Sequence, residues 1–377
     1  MSSERVASVQ GDCDDAFARV KKEFQAFLDS DEELGASITV NIDGRNVLDL
    51  WGGHCDESRN VPWKKDTITN VWSTTKAVTN FAALMLMDRG QLDPFAKVAT
   101  YWPEFAANGK QDIEVRHLLS HTSGLAGWEA PFTTEDMFNL RTSTDMLAVQ
   151  KPWWEPGTAS GYHAHTQGHL VGELFVAEEI AGPLAADFQI GAKESDWIRI
   201  ADIVPPPPLD FDFTALPADS VMAKTFSAPP ANAAAANTPG WRKAELGALN
   251  GHSNARGVAR MLSAVSLGGE VDGVRLLSQK TIDLIFKEQS NGVDLVIGTP
   301  VRFGIGYALP LQETAPFLPA DAQRICFWGG WGGSLIIMDL ERRMTIAYMM
   351  NKMGTGTMGS SRGDAYVRAI YASLAAL

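Results

Sequence analysis

Cysteine is scarce in this chain of 377 residues. Cys13, Cys55 and Cys326 are scattered, odd in number and without metal-ligand spacing, which excludes a disulfide framework and fits free buried thiols in a reducing compartment. Long apolar runs are missing too. No stretch nears the roughly 20 residues that span a bilayer, and the N-terminal MSSERVASVQGDCDDAF lacks the basic start and unbroken apolar core of a secretion signal. A soluble, cytoplasmic protein is therefore expected. Basic charge is in deficit, with 32 Lys and Arg against 45 Asp and Glu, a net charge of −13 and no Lys/Arg-dense segment. A phosphate backbone or an anionic membrane surface would repel such a chain, so neither nucleic acid nor membrane is an expected partner. Internal repeats at solenoid periods are absent.

What remains is a globular composition, 45% hydrophobic, long enough for two domains or for one large domain with an insertion. The stretch FARVKKEFQAFLDS carries helical periodicity, and ASITVNI and NVLDLWG then flank Asp43-Gly44, a dipeptide that favours a tight hairpin turn. Near the other end SLIIMDL and MTIAYMM flank a short charged turn, and DAYVRAIYASLAAL reads as an amphipathic helix. The two ends mirror each other, so residues 1–70 and 255–377 are expected to form one α/β domain around a central antiparallel sheet. Residues 71–254 read as an inserted, mostly helical region, including the segment QGHLVGELFVAEEI. Its Pro-rich part, 204–240, is too long for a routine connection and is either a mobile cover over a site or a surface excursion.

The stretch VWSTTKAVTN places Ser73 three residues before Lys76, the only Ser-x-x-Lys pair in the chain, at the start of an apolar helical run. On a helix the two side chains stack on one face. A serine hydroxyl becomes a nucleophile when a neighbouring base takes its proton, and a lysine serves as that base when burial or a nearby cation lowers its pKa. Val71, Trp72, Val78 and Phe81 supply apolar surroundings, and a helix N-terminus offers free N–H groups to an oxyanion. The plainer reading makes Ser73 a helix cap and Lys76 a solvated side chain. The tetrapeptide alone favours the cap.

Three other stretches alter that balance. IEVRHLLSHTSGL (113–125), the segment DTITNVWSTTKAVTNFAALMLMDRGQLD and WEPGTASGYHAHTQGHLVGEL closely resemble the serine β-lactamase and penicillin-binding-protein superfamily, in its class C-like and esterase branches. LNGHSNARGVARML, FGIGYAL and FWGGWGGSLIIMD extend the likeness from about residue 35 almost to the end, and the pattern most resembles the family VIII carboxylesterases. The resemblance implies an α+β fold of the β-lactamase/transpeptidase type, an antiparallel sheet flanked by helices with an inserted helical domain. It also implies catalytic Ser73, Lys76 and Tyr162, with no metal and no cofactor.

Two departures from the family pattern bear on substrate. The usual Tyr-x-Asn stands here as Tyr162-His163-Ala164, and the usual Lys-Thr-Gly as Trp328-Gly329-Gly330, so an amide and a cation suited to a lactam's side chain and carboxylate are missing. Both point to neutral, apolar esters as small-molecule substrates. The resemblance implies two-step acyl transfer, with Lys76, Tyr162 or both deprotonating Ser73, an ammonium at Lys76 favouring the Tyr162 phenolate, and water hydrolysing the acyl-enzyme. The oxyanion hole is expected at the backbone N–H groups of Ser73 and Trp331. Trp328, Gly329, Gly330, His163, Trp128 and Trp154 are the expected substrate-binding residues. Transfer of the acyl group to an alcohol or amine acceptor, and weak β-lactamase or peptidase activity, are the alternatives on the same scaffold. A non-catalytic sensor domain is the third, opposed by the intact Ser73, Lys76 and Tyr162.

Competing motifs fail on context. Gly359-Ser360-Ser361-Arg362-Gly363 matches the α/β-hydrolase nucleophile elbow, but no histidine follows it, the last being His252. His163, His165 and His169 suggest a metal site, yet no acidic residue or cysteine completes a set at recognisable spacing. His117 and His121 read as structural, bonding backbone around the HTSGL turn.

Overall fold

The computed structural model describes residues 8–171, 180–208, 216–356 and 359–376. Of the expected helical segment QGHLVGELFVAEEI, Gln167–Val171 is helix, while residues 172–179, like 209–215 of the Pro-rich segment, lie outside the described residues.

Nine strands make one antiparallel sheet: β1 (Gln10–Cys13), β2 (Gly35–Ile42), β3 (Arg45–Gly53), β4 (Ser290–Val293), β5 (Pro300–Phe303), β6 (Ala308–Leu309), β7 (Ile325–Gly329), β8 (Leu335–Asp339) and β9 (Met344–Met350). Their spatial order is β1-β3-β2-β9-β8-β7-β6-β5-β4. The β2–β3 hairpin turns at Asp43 (φ 49°) and Gly44 (φ 84°), the paired positive φ values that match the right-handed twist of flanking strands. β9 pairs with β2 from Met344↔Ile42 to Met350↔Ala36, which joins the two ends of the chain in the middle of the sheet as their mirrored patterns imply.

Helices cover both faces of that sheet. Along β9, Tyr348 packs on Tyr366 of the C-terminal helix, with ring centroids 5.1 Å apart, whereas Thr345 shares a 2.8 Å hydroxyl hydrogen bond with Ser266. Side chains of a strand alternate between faces. The C-terminal helix Ser361–Leu374 therefore lies on one face, together with α1 (Ala18–Asp29), whose Phe24 and Phe27 meet Tyr366 edge-on. Helix Ala255–Ser266 lies on the other, which is why β9 is buried at all its positions. Three side chains of α1 are buried (Val20, Phe24 and Leu28), each worth about 1.5–3 kcal/mol.

The second helix of the chain, α2 (Thr75–Asp88), is buried nearly all round. A three-stranded sheet beside it places Gly251–Ser253 between Thr69–Asn70 and Phe188–Ile190. The chain leaves the large sheet at Gly53, the end of β3, and later packs on it with the helix Ala255–Ser266; between the two, the outgoing Thr69–Asn70 pairs with the returning Gly251–Ser253. We propose this pairing as the junction between the α/β and helical regions. The three cysteines are free, Cys55 and Cys326 buried. Among the described residues no helix is long and apolar enough to cross a membrane.

Candidate active site

Ser73 sits on the turn that enters α2, after Trp72, whose φ of 50° is in the left-handed region. A bulky residue there is strained and persists only where its surroundings hold it. Those surroundings are Trp241 and Trp331, whose rings meet Trp72 at 5.5 and 5.2 Å, and Thr75, whose N–H and hydroxyl both donate to the Trp72 carbonyl. From the other side Ser334 donates to the Val71 carbonyl at 2.8 Å and pairs with the Thr74 hydroxyl at 2.9 Å. Gly330 packs so closely that a Cβ there would stand 2.6 Å from the Val71 carbonyl oxygen and 3.0 Å from Trp72 Cβ. Glycine is thus required where β7 leaves the sheet and passes the Ser73 turn.

The Ser73 side chain caps no helix. Its Oγ lies 3.1 Å from Lys76 Nζ, and the Tyr162 hydroxyl lies close enough to Ser73 for the two to influence each other. Lys76 is 1% exposed and donates to the carbonyls of Ala164 (2.7 Å) and Ala248 (2.9 Å). Two donated N–H bonds leave the third tetrahedral direction of the amine aimed at Ser73. Burial pushes the Lys76 pKa well below its ordinary 10.5.

Tyr162 stands beside this pair, its ring centroid 4.8 Å from Lys76 Nζ, and its hydroxyl accepts from Trp328 Nε1 at 3.2 Å. Burial pushes its pKa above the ordinary 10.0, against the smaller opposing effects of Ser73 and Trp328. The sequence leaves open which of Lys76 and Tyr162 is deprotonated at rest, and burial favours the free amine over the phenolate. Desolvation disfavours both charges, leaving an amine and a phenol. The Tyr162 backbone is held by Asp294, whose Oδ1 accepts from Tyr162 N (3.0 Å), Val296 N (2.9 Å) and Ile297 N (2.9 Å).

Ser73 and Tyr162 open into a cavity of about 300 Å³. Its wall is mostly apolar, with Met222, Phe226, Trp241, Val296 and Ile297 among its residues, and none of the described residues in it is Asp, Glu, Lys or Arg. Much of this wall comes from the Pro-rich segment: helix Val221–Ser227 and residues 229–232 lie over the site. Trp331 also lines the cavity. Among the described residues, neither the Ser73 nor the Trp331 N–H has a hydrogen-bond acceptor.

The structure brings Ser73, Lys76, Tyr162 and Trp331 together. Several residues expected at the substrate stand behind the wall instead. Trp328 supports the Tyr162 hydroxyl, while Gly329 ends β7 and Gly330 packs on the Ser73 turn. His163 is fully buried, paired with Ser123 Oγ (2.7 Å) and His121 Nδ1 (3.1 Å). Trp128 stacks on Phe132 at 4.2 Å and donates to the Ser143 carbonyl, and Trp154 packs on Gly161 and donates to the Ala159 carbonyl. His117 and His121 both bond backbone, at Glu114 N and His163 N. Among the described residues no group of three or more His, Cys, Asp or Glu could hold a metal ion. Sequence reasoning missed the Ala164 and Ala248 carbonyls, Asp294 and His165. Of these only His165 carried a signal, its place in the histidine cluster.

The sequence model of the family Beta-lactamase matches residues 20–370. Esterase/beta-lactamase LipL of Mycobacterium tuberculosis is 31% identical over 367 residues, covering 92% of this chain and 83% of that protein. The crystal structure of a family VIII carboxylesterase aligns with a TM-score of 0.90 and 35% identity, covering 97% of this chain and 100% of the other. A penicillin-binding-protein homologue from Caulobacter crescentus aligns at 0.88 and 33%, with the same coverage. A match along nearly the whole length, on a sheet and a Ser-x-x-Lys turn built as described, places the chain in the beta-lactamase family.

Proposed function

We propose that the protein is a serine carboxylesterase acting on neutral, largely apolar esters. The observation that carries this reading is the Lys76 amine, which spends two N–H bonds on carbonyls and faces Ser73 Oγ at 3.1 Å. The Ser73 proton passes to the Lys76 lone pair as Oγ attacks the ester carbonyl. The oxyanion is received by the N–H groups of Ser73 and Trp331, each of which typically contributes about 3 kcal/mol of barrier lowering in such a site. Tyr162 gives its hydroxyl proton to the departing alcohol and regains one from the Lys76 ammonium. Water then enters, and the same groups run the sequence again to release the acid. Trp328, donating to the Tyr162 oxygen, keeps the phenol turned towards Ser73.

The cavity wall supports the substrate class. Binding a carboxylate in an apolar pocket without a cation leaves the charge unpaired, which is costly. Penicillin-like anions therefore have no partner in the described wall, in line with the loss of lysine from the third motif. Steady-state kinetics on p-nitrophenyl butyrate and on nitrocefin test this. Butyrate turnover should exceed nitrocefin turnover by about 100-fold or more in kcat/KM. Comparable values, or diversion of most of the acyl group to an added alcohol, would contradict a neutral-ester hydrolase.

A further inference from the structure

His165 is not used by the mechanism above, yet it lines the cavity that holds Ser73. It follows Ala164, whose carbonyl holds Lys76 at 2.7 Å, and its ring meets Phe226 of the overlying helix edge-on at 6.3 Å. Among the described residues neither ring nitrogen has a hydrogen-bond partner. Nδ1 is buried, whereas Nε2 is not among the buried unpaired atoms and so opens to the cavity. A buried orphan N–H is rarer and costlier than an underused acceptor, so the single proton of the neutral ring belongs on Nε2. Burial, with smaller contributions from Lys76 and His169, pushes the imidazole pKa down to about 3, which keeps the ring neutral at working pH.

Of the other polar wall groups, Trp241 Nε1 donates to Asn70 Oδ1, while the hydroxyls of Thr134 and Thr355 share the wall with His165. Ser73 and Tyr162 react, and Asn232 Oδ1 accepts from Ala234 N. His165 thus presents a neutral ring N–H donor inside a mostly apolar cavity, one residue from the carbonyl that holds Lys76. A few placed polar groups in an apolar pocket are what fix a ligand's orientation.

We propose that His165 is a specificity determinant: its Nε2–H hydrogen-bonds a carbonyl or ether oxygen borne by the substrate near the scissile ester, so that the preferred esters are apolar but oxygenated. This rests on the esterase reading. The test uses full-length wild type, His165→Phe and His165→Gln with two matched pairs of esters. On the acyl side these are p-nitrophenyl hexanoate and p-nitrophenyl propoxyacetate. On the alcohol side they are hexyl acetate and propoxyethyl acetate. Within each pair the chain length is equal and one methylene becomes an oxygen. Comparing variant with wild type cancels the intrinsic reactivity of the esters.

In one of the two pairs, His165→Phe should lower kcat/KM for the oxygen ester about tenfold relative to its all-carbon partner. His165→Gln, which keeps an N–H donor, should restore most of that ratio. The proposal is overturned if both members of each pair change by the same factor, or if the glutamine variant discriminates no better than the phenylalanine one. Turnover of none of the four esters by wild type overturns the esterase reading as well.

Discussion

In the proposed mechanism Lys76 acts as a base because it is buried. A lysine amine in water is protonated and useless as a base at neutral pH, and here removal from solvent shifts it towards the free amine. Lys76→Met should lower kcat about 10³-fold, the scale of a lost general base. The same shift has a thermodynamic signature. In the unfolded chain Lys76 binds a proton below its ordinary 10.5, while in the folded chain it releases that proton at lower pH. The unfolded state therefore holds more protons across the window up to 10.5, and stability rises with pH there. Urea unfolding of wild type and Lys76→Met should show the difference in ΔG moving in favour of wild type as pH rises from 7 to 10. A pH-independent difference would mean that the amine stays charged in the fold.

Ser73, Lys76 and Tyr162 stand out in the sequence through the family-like stretches that contain them, since the Ser73–Lys76 spacing alone favours a helix cap. Their hydrogen-bond partners do not. The Ala164 and Ala248 carbonyls are backbone atoms, and any residue type at those positions would present them. Asp294 lies 132 residues from the Tyr162 N–H it accepts, in a segment, NGVDLVIGTP, that reads as an ordinary turn.

At the scale of elements, the site is a meeting of turns carried by rigid strands and helices. The α2 entrance, the Tyr162 loop and the turn beginning at Asp294 come from separate parts of the chain, and single polar groups tie them. Asp294→Ala would leave three N–H groups without their acceptor, a cost on the order of 3 kcal/mol. It would also free both Tyr162 and the cavity wall at Val296 and Ile297. The expected outcome is a loss of stability and a rise in KM together with a fall in kcat. Asp294→Asn keeps an Oδ1 acceptor and should recover most of both. Chemical denaturation and ester kinetics on the two variants distinguish this tie from an ordinary surface turn.

The hairpins and the terminal helix were read correctly from periodicity and from Asp43-Gly44, since each depends on near neighbours. The short strand β1 was not anticipated: QGDC has no apolar alternation, and its pairing with β3, Gln10↔Trp51 to Cys13↔Leu48, supplies the reason for its extension. The Pro-rich segment left two readings open, cover or excursion. Its helix Val221–Ser227 and residues 229–232 form cavity wall, a tertiary fact that loop length could suggest but not decide.

At the scale of the whole molecule, the buried Lys76 is accompanied by several buried histidines that stay neutral in the fold. Burial holds His163 and His165 at about 3, His252 at about 4 and His121 well below its ordinary 6.5. Each takes up a proton on unfolding once the pH falls below 6.5, so their contribution to stability is lost progressively on acidification. With all four contributing, the slope approaches about 5 kcal/mol per pH unit. Glu33 and Asp364, whose carboxyls burial pushes upwards, work in the opposite sense but are fewer. Circular dichroism should therefore record cooperative acid unfolding above pH 4. Retention of native structure at pH 3 would mean that these rings are solvated or paired.

The account rests on Ser73 being an activated nucleophile, and intact-mass measurement after reaction with a fluorophosphonate reads that directly. Wild type should gain one adduct, mapping to Ser73 on digestion, while Ser73→Ala gains none and Lys76→Met reacts far more slowly. An adduct that persists in Ser73→Ala, or a wild type that remains unlabelled, would contradict it.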